Sequence, residues 1–281
     1  MDANSQANFA LSHIANFSAA MVQMHIHRFR DETLVQPRYA DPKRLLRYGC
    51  KVYSQHDEDG IIQEIFRRIG TSTRTFVEFG VETGVECNTA KLLIEGWRGL
   101  WIEANAQSCK AIRSIFETFI KDQRLMLRES LVTAENINTL IADCGMRDEV
   151  DLISIDIDFN DYWVWKAIEI VRPRVVVIEY NAGLAPPLSV TVPYQPNRGG
   201  DGTNFFGASL EALVRLGRQK GYRVVGCNIS GSNAFFVRDD LCAAHFLDPA
   251  TAEEHYEPPR HFFSLLLAGP HAPRPGPYVA V

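Results

Sequence analysis

Between residues 75 and 239 short apolar runs alternate with stretches in which apolar residues recur at helical spacing. The runs TFVEF (75–79), GLWIE (99–103), RLMLR (124–128), DLISID (151–156) and RVVVIEY (174–180) are each too short to stand as helices. Helical periodicity fills about 88–95, 107–120, 134–144 and 160–171 between them. This alternation predicts βαβ units that build a parallel sheet with helices on both faces. After a long loop, 181–206, the pattern reads helix (207–220), strand YRVVGCN (222–228) and strand NAFFVRD (233–239). Only ISGS separates the last two, so they should pair as an antiparallel hairpin. The expected fold class is α/β, a seven-stranded sheet of five parallel strands plus a C-terminal antiparallel hairpin.

Upstream, DEDGIIQEIFRRI (57–69) has acids at its start, arginines near its end and an apolar face at 3.6-residue spacing, and Gly70 follows as a helix stop. Phe9, Ile14, Phe17, Met21 and Met24 follow a loosely helical period within 8–30, and the proline-bearing stretch DETLVQPRYADPKR reads as a linker. The expected division is a helical appendage and linker over 1–50, a ligand-binding domain over 51–245, and a partly irregular, proline-rich C-terminal extension over 246–281. The N-terminal helix could cover the mouth of a site or pair with a second subunit, making a homo-oligomer.

Charge and composition narrow the function classes. With 29 Lys and Arg against 34 Asp and Glu the net charge is −5, with no basic stripe, which argues against binding nucleic-acid phosphates. No apolar run reaches the ~18 residues of a membrane span, and the N-terminus lacks the basic start of a signal peptide, so a cytoplasmic protein with no membrane partner is expected. The six cysteines form no C-x-x-C pair and read as reduced structural thiols.

In open α/β sheets ligands bind beyond the carboxyl ends of the strands. The first run leads into EFGVETGVECNT, a glycine loop between strand and helix that departs from G-x-G-x-x-G. Glu78, Glu82 and Glu86 would repel a pyrophosphate and suit a ligand with a cationic part. The second run ends in Glu103, where a carboxylate can accept hydrogen bonds from ribose hydroxyls. A nucleoside with a cationic appendage fits both features better than a dinucleotide.

FVEFGVETGVECNT followed by GLWIEAN resembles the S-adenosylmethionine site of class I methyltransferases, a Rossmann-like architecture whose sheet also ends in a hairpin. More narrowly, YSQHDEDGIIQEIF, SIDID and VVVIEYN resemble FkbM-type sugar and natural-product O-methyltransferases, across about residues 52–240. The resemblance implies S-adenosylmethionine as cofactor, with Glu78, Gly80 and Gly84 shaping the methionine pocket, Glu103 holding the ribose, and Ser130 with Leu131 flanking the adenine. Gln55, Asn88 and Asp156 complete the expected cofactor-binding set. Gln55, with Glu58 and Asp59, serves equally well as a cap of the 57–69 helix. Phe159 stands where the family usually has glycine.

The fourth run delivers Asp156 and Asp158, with Asp161 just beyond, and the fifth delivers Glu179 and Asn181. Neighbouring strand ends lie about 5 Å apart, so these oxygens can converge. Crowded carboxylates repel one another unless protons or a cation intervene, and such hard oxygens suit Mg²⁺ or Ca²⁺. Asp156, Asp158, Glu179 and Asn181 are therefore the expected metal ligands, as the catechol and macrolide-sugar O-methyltransferases also imply, although Tyr180 separates Glu179 from Asn181. Asp158, Asp161 and His56 are the candidate bases. Loop 181–206, with Tyr194, Phe205 and Phe206, is expected to close over a small-molecule or glycan acceptor. Two other readings stay open: a hydroxylase-like relative on the same scaffold, and a non-catalytic nucleoside-binding interaction protein.

Overall fold

A computed structural model describes residues 3–260 and 271–281; part of the expected C-terminal extension, 261–270, lies outside the described residues. Seven strands form the main sheet: β1 (Thr75–Phe79), β2 (Arg98–Glu103), β3 (Leu125–Glu129), β4 (Leu152–Ile155), β5 (Val175–Glu179), β7 (Tyr222–Cys227) and β8 (Asn233–Arg238), with β6 (Val190–Thr191) outside it. Their order is β3-β2-β1-β4-β5-β8-β7. The first five pair in parallel, and β8 runs antiparallel to both β5 and β7. The fold is the expected α/β class, a Rossmann-like sheet closed by an antiparallel hairpin. The order reverses between β1 and β4, which opens a crevice at their carboxyl ends.

The central strands are apolar on both sides because both faces are covered. On one face Val77, Phe79, Ile153 and Ile178 pack with Ile137 and Ile141 of α6 (Ile137–Asp143), Trp165 of α7 (Asp161–Ala167) and Leu213 of α8 (Leu210–Lys220). On the other, Phe76, Trp101, Leu152 and Val177 pack with Ile61 and Ile65 of α2 (Glu58–Ile69), Leu93 of α3 (Ala90–Ile94) and Ile112 of α4 (Ala106–Ile115). The period expected over 107–120 is split at Phe116 into α4 and α5 (Glu117–Lys121), since Phe116 turns inward to meet the Trp101 ring edge-on at 4.8 Å.

Ahead of the sheet, α1 (Ala3–Leu34) is a single helix whose last turns are anchored: Phe29 and Leu34 pack with Tyr39, Leu46 and Ile229, and Arg30 donates to the Gly49 carbonyl. Two short helices, α9 (Asp239–Cys242) and α10 (Ala252–His255), follow the hairpin. No helix among the described residues is long and apolar enough to cross a membrane.

The long loop and the tail differ from the sequence reading, since each supplies a strand. β6, inside the loop, pairs antiparallel with β9 (Val279–Ala280) in the tail. Neither two-residue strand carries a periodic signal alone; each exists because the other satisfies its backbone groups.

Candidate active site

A cavity of about 560 Å³ opens at the carboxyl ends of β1, β2, β4 and β5, within the size range of small-molecule sites. The loop after β1 forms one wall. Gly80 sits at φ 81°, and a Cβ there would collide with the Asp156 carbonyl oxygen, so only glycine lets the two strand ends meet. Glu82, at φ 49°, turns its N–H toward Glu103 Oε2 at 2.8 Å, while Glu103 Oε1 accepts from Asn105 N at 2.7 Å. Glu103 thus ties the β1 and β2 loops together with its carboxylate at the cavity edge.

Glu78 is buried and accepts from Asn88 N (2.9 Å), Thr89 N (3.0 Å) and Thr89 Oγ1 (2.5 Å), and burial pushes its pKa up. Its observed work is to hold the turn into α3. Asn88, whose amide donates to Ser154 Oγ at 3.0 Å, lines the cavity together with Ser130 and Leu131 after β3. Leu131 is 44% exposed, an apolar side chain left open on the cavity rim. Gly84 lies elsewhere: a Cβ on it would sit 2.5 Å from the Trp101 ring, so its smallness serves packing beneath the loop rather than the cavity surface.

Asp156, Asp158 and Glu179 converge, each offering one oxygen within 4.8 Å of the others. Burial, reinforced by the neighbouring carboxylates, raises the pKa of Asp156 and Glu179 well above the usual range. Asp158 is the most exposed of the three; partial desolvation at the cavity raises its pKa, against a lowering from His271. Asp158 adopts φ 62°, and Gly200 of the long loop passes so close that a Cβ there would lie 2.6 Å from Asp158 Cβ. Phe159 is buried and meets Phe205 edge-on at 5.9 Å.

Two other expected site residues take supporting positions. Asp161 is fully buried and does not line the cavity; one oxygen accepts from Ile157 N at 2.9 Å, the other has no hydrogen-bond partner, and burial lifts its pKa to about 7. Asn181 lines the cavity, but its amide is committed to the long loop, donating to the Asn204 and Phe206 carbonyls at 3.0 Å each and accepting from Gly183 N at 3.0 Å.

Gln55 and His56 also line the cavity, and Lys51 joins their loop to the one after β1, donating to the Gln55 carbonyl (3.0 Å) and to Glu86 (2.7 Å). Burial lowers the His56 pKa, which favours the neutral imidazole, able to accept a proton. Their loop is held by Asp59 Oδ2, which accepts from the backbone N–H of Val52, Tyr53 and Ser54 at 2.6–2.8 Å. Glu58 joins this loop to the β7–β8 turn, accepting from Asn228 Nδ2 at 2.6 Å and Asn233 Nδ2 at 3.0 Å. Glu58 and Asp59 therefore act as organisers of this loop.

Loop 181–206 is an ordered cover. Asn160 donates to the Gln195 carbonyl (2.7 Å), Trp163 Nε1 to the Val192 carbonyl (2.8 Å), and Arg198 lies 4.5 Å over the Phe159 ring. Of the three aromatics expected to face an acceptor, Phe206 lines the cavity. Phe205 is buried against Phe159 and Tyr278, and Tyr194 donates to Glu135 at 2.5 Å. His271 also lines the cavity, 5.2 Å from the Phe206 ring, with Nδ1 3.2 Å from the Thr203 carbonyl. A single histidine in a proline-rich tail gives no periodic or spacing signal, and sequence reading missed it.

No protein-family model and no curated protein matches this sequence. Solved structures similar to it include a putative O-methyltransferase from Klebsiella pneumoniae, 16% identical over 78% of this chain and 99% of that one, with a TM-score of 0.43. Another is the magnesium protoporphyrin IX methyltransferase of Synechocystis with bound S-adenosylmethionine, 8% identical over 66% of this chain and 79% of that one, TM-score 0.43. A third is an O-methyltransferase from Bacillus cereus in complex with S-adenosylhomocysteine, 18% identical over 58% and 67%, TM-score 0.33. At these scores the likeness says nothing of chemistry, which rests on the geometry of the cavity.

Proposed function

We propose that the protein is an S-adenosylmethionine-dependent methyltransferase acting on a hydroxyl of a sugar or natural-product acceptor, with a divalent cation such as Mg²⁺ held by Asp156, Asp158 and Glu179. One observation carries the reading: Glu103, Leu131 and the Gly80 loop, at three neighbouring strand ends, border one cavity that also receives the carboxylate trio.

The residues fit the cofactor by chemistry. Glu103 supplies an acceptor for ribose hydroxyls, Leu131 and Val132 an apolar edge for a purine, and the acids a negative environment for a sulfonium. Bound there, S-adenosylmethionine supplies an electrophilic methyl group. The trio fits a hard cation, since the Glu179 Oε2 atom is buried without a hydrogen-bond partner, Asp158 raises the pKa of Asp156, and both raise that of Glu179. Such a cation supplies positive charge that lowers the pKa of a nearby hydroxyl. With the cation bound, His56 is the candidate base for the hydroxyl proton; Asp158 is a candidate only without the cation. The balance is one methyl gained by the acceptor oxygen, one proton taken by the base, and a neutral thioether left behind. The ordered cover over 181–206 would keep water from the methyl group.

Calorimetric titration with S-adenosylhomocysteine tests the cofactor, with one site per chain expected; no heat of binding overturns the reading. Mg²⁺ titration tests the cation separately. Because protons compete for carboxylates held above their usual pKa, Mg²⁺ affinity should rise as pH rises and should be lost in Asp158→Asn and Glu179→Gln. Turnover undiminished by exhaustive chelation removes the cation and leaves the methyltransferase.

A further inference from the structure

The N-terminal helix α1 presents apolar side chains to solvent. Ile14, Phe17, Met21 and Met24 are 63%, 68%, 38% and 65% exposed. Their separations of three, four and three residues are the spacing of a coiled-coil seam, which places all four on one side of the helix. A contiguous row of large exposed apolar groups marks an interaction surface.

The charge pattern selects the occupant. Residues 3–27 contain no Asp, Glu, Lys or Arg; the first formal charge past residue 2 is Arg28, which pairs with Glu32 at 2.7 Å. A helix that lies on a membrane surface carries a basic polar face, and α1 has none. A strongly charged protein partner would find nothing to complement. A second copy of the same helix, in contrast, meets no like-charge repulsion and offers an identical row at matching spacing.

The placement of the helix allows this pairing. Phe29, Arg30 and Leu34 fix its C-terminal end to the body of the protein. At 32 residues it is about 48 Å long, and the four seam side chains, 10 to 20 residues before its fixed end, are exposed. A helix whose exposed apolar seam stays in water is marginal, and pairing would bury that seam.

We propose that the protein self-associates through α1, two copies meeting about a twofold axis along the seam formed by Ile14, Phe17, Met21 and Met24. The surface is isologous, so the same four side chains serve both partners. None of the four side chains lines the cavity, so the interface is independent of the reaction the cavity supports.

Sedimentation equilibrium of the full chain tests the proposal, beside Phe17→Glu/Met24→Glu and the control Asn16→Glu, which adds charge off the seam. The wild type and the control are expected to dimerise, and the double variant to dissociate with a dissociation constant raised at least about 30-fold, as for loss of an interface hot spot. Circular dichroism melting at about 220 nm and an unchanged melting temperature of the sheet domain would show that the double variant still folds. A wild type that stays monomeric at about 100 μM, far above a micromolar interface, overturns the proposal. So does a dimer that the double variant leaves intact, or a monomer that sediments with anionic lipid vesicles only when the seam is unaltered.

Discussion

Asp161→Asn should stabilise the metal-free protein, and more so as pH rises. The residue is fully buried, with one oxygen bonded to the Ile157 N–H at 2.9 Å and the other without a hydrogen-bond partner. Asparagine keeps the acceptor for Ile157 and replaces the ionisable, unpartnered oxygen by an amide nitrogen that carries no charge at any pH. Burial lifts the Asp161 pKa from 3.8 to about 7, so the folded state resists ionisation that the unfolded chain undergoes freely. For an acid whose folded pKa is raised, the cost is nearly absent below the unfolded pKa, grows between the two values and levels off above the folded one. At about 1.4 kcal/mol per pH unit, the full cost approaches about 4 kcal/mol above about pH 7, less the share carried by Asp156, Asp158 and Glu179. The gain from the substitution should therefore be about 2 kcal/mol larger at about pH 8 than at about pH 5, a difference of roughly 5 °C in melting temperature for a chain of this size. The assay is thermal or urea unfolding in EDTA at both pH values. An equal shift at the two pH values, or a loss of stability at the higher one, refutes the assignment of Asp161 as a buried and uncompensated acid.

Two further substitutions probe the walls of the cavity. Gly80→Ala should abolish S-adenosylhomocysteine binding, measured by calorimetry, because its Cβ collides with the Asp156 carbonyl and forces the β1 and β4 ends apart. Tyr194→Phe should loosen the cover by removing the bonds to Glu135 (2.5 Å) and from Ala134 N (3.0 Å), worth about 1–2 kcal/mol together. The expected readout is faster amide exchange over 192–206 with the sheet unaffected.

The sheet was legible in the sequence because each strand of a two-faced parallel sheet is a short apolar run, and each crossover helix carries its own period. The positions of Glu103, Asp156, Asp158 and Glu179 at strand ends followed directly from those runs. A boundary such as Phe116 was not legible, because a buried aromatic contact with Trp101 ends α4 where the apolar period continues.

Other assignments depended on contacts between distant segments. Gly84 and Gly80 look alike in the glycine loop, yet one packs on an indole and the other lies beside a carbonyl at the cavity. Asn181 stands next to the acids in sequence, but the carbonyls of Asn204 and Phe206 engage its amide. His271 and the pairing of β6 with β9 arise from the tail folding back over the loop, 68 to 90 residues away by the Thr203 contact of His271 and the register Val190↔Ala280 and Thr191↔Val279. The sequence by itself determined the seven strands of the main sheet and the helices between them, since hydrophobic period is a local property. Only the tertiary structure decided which polar groups remain open to a ligand, since that depends on which partners have already claimed their hydrogen bonds.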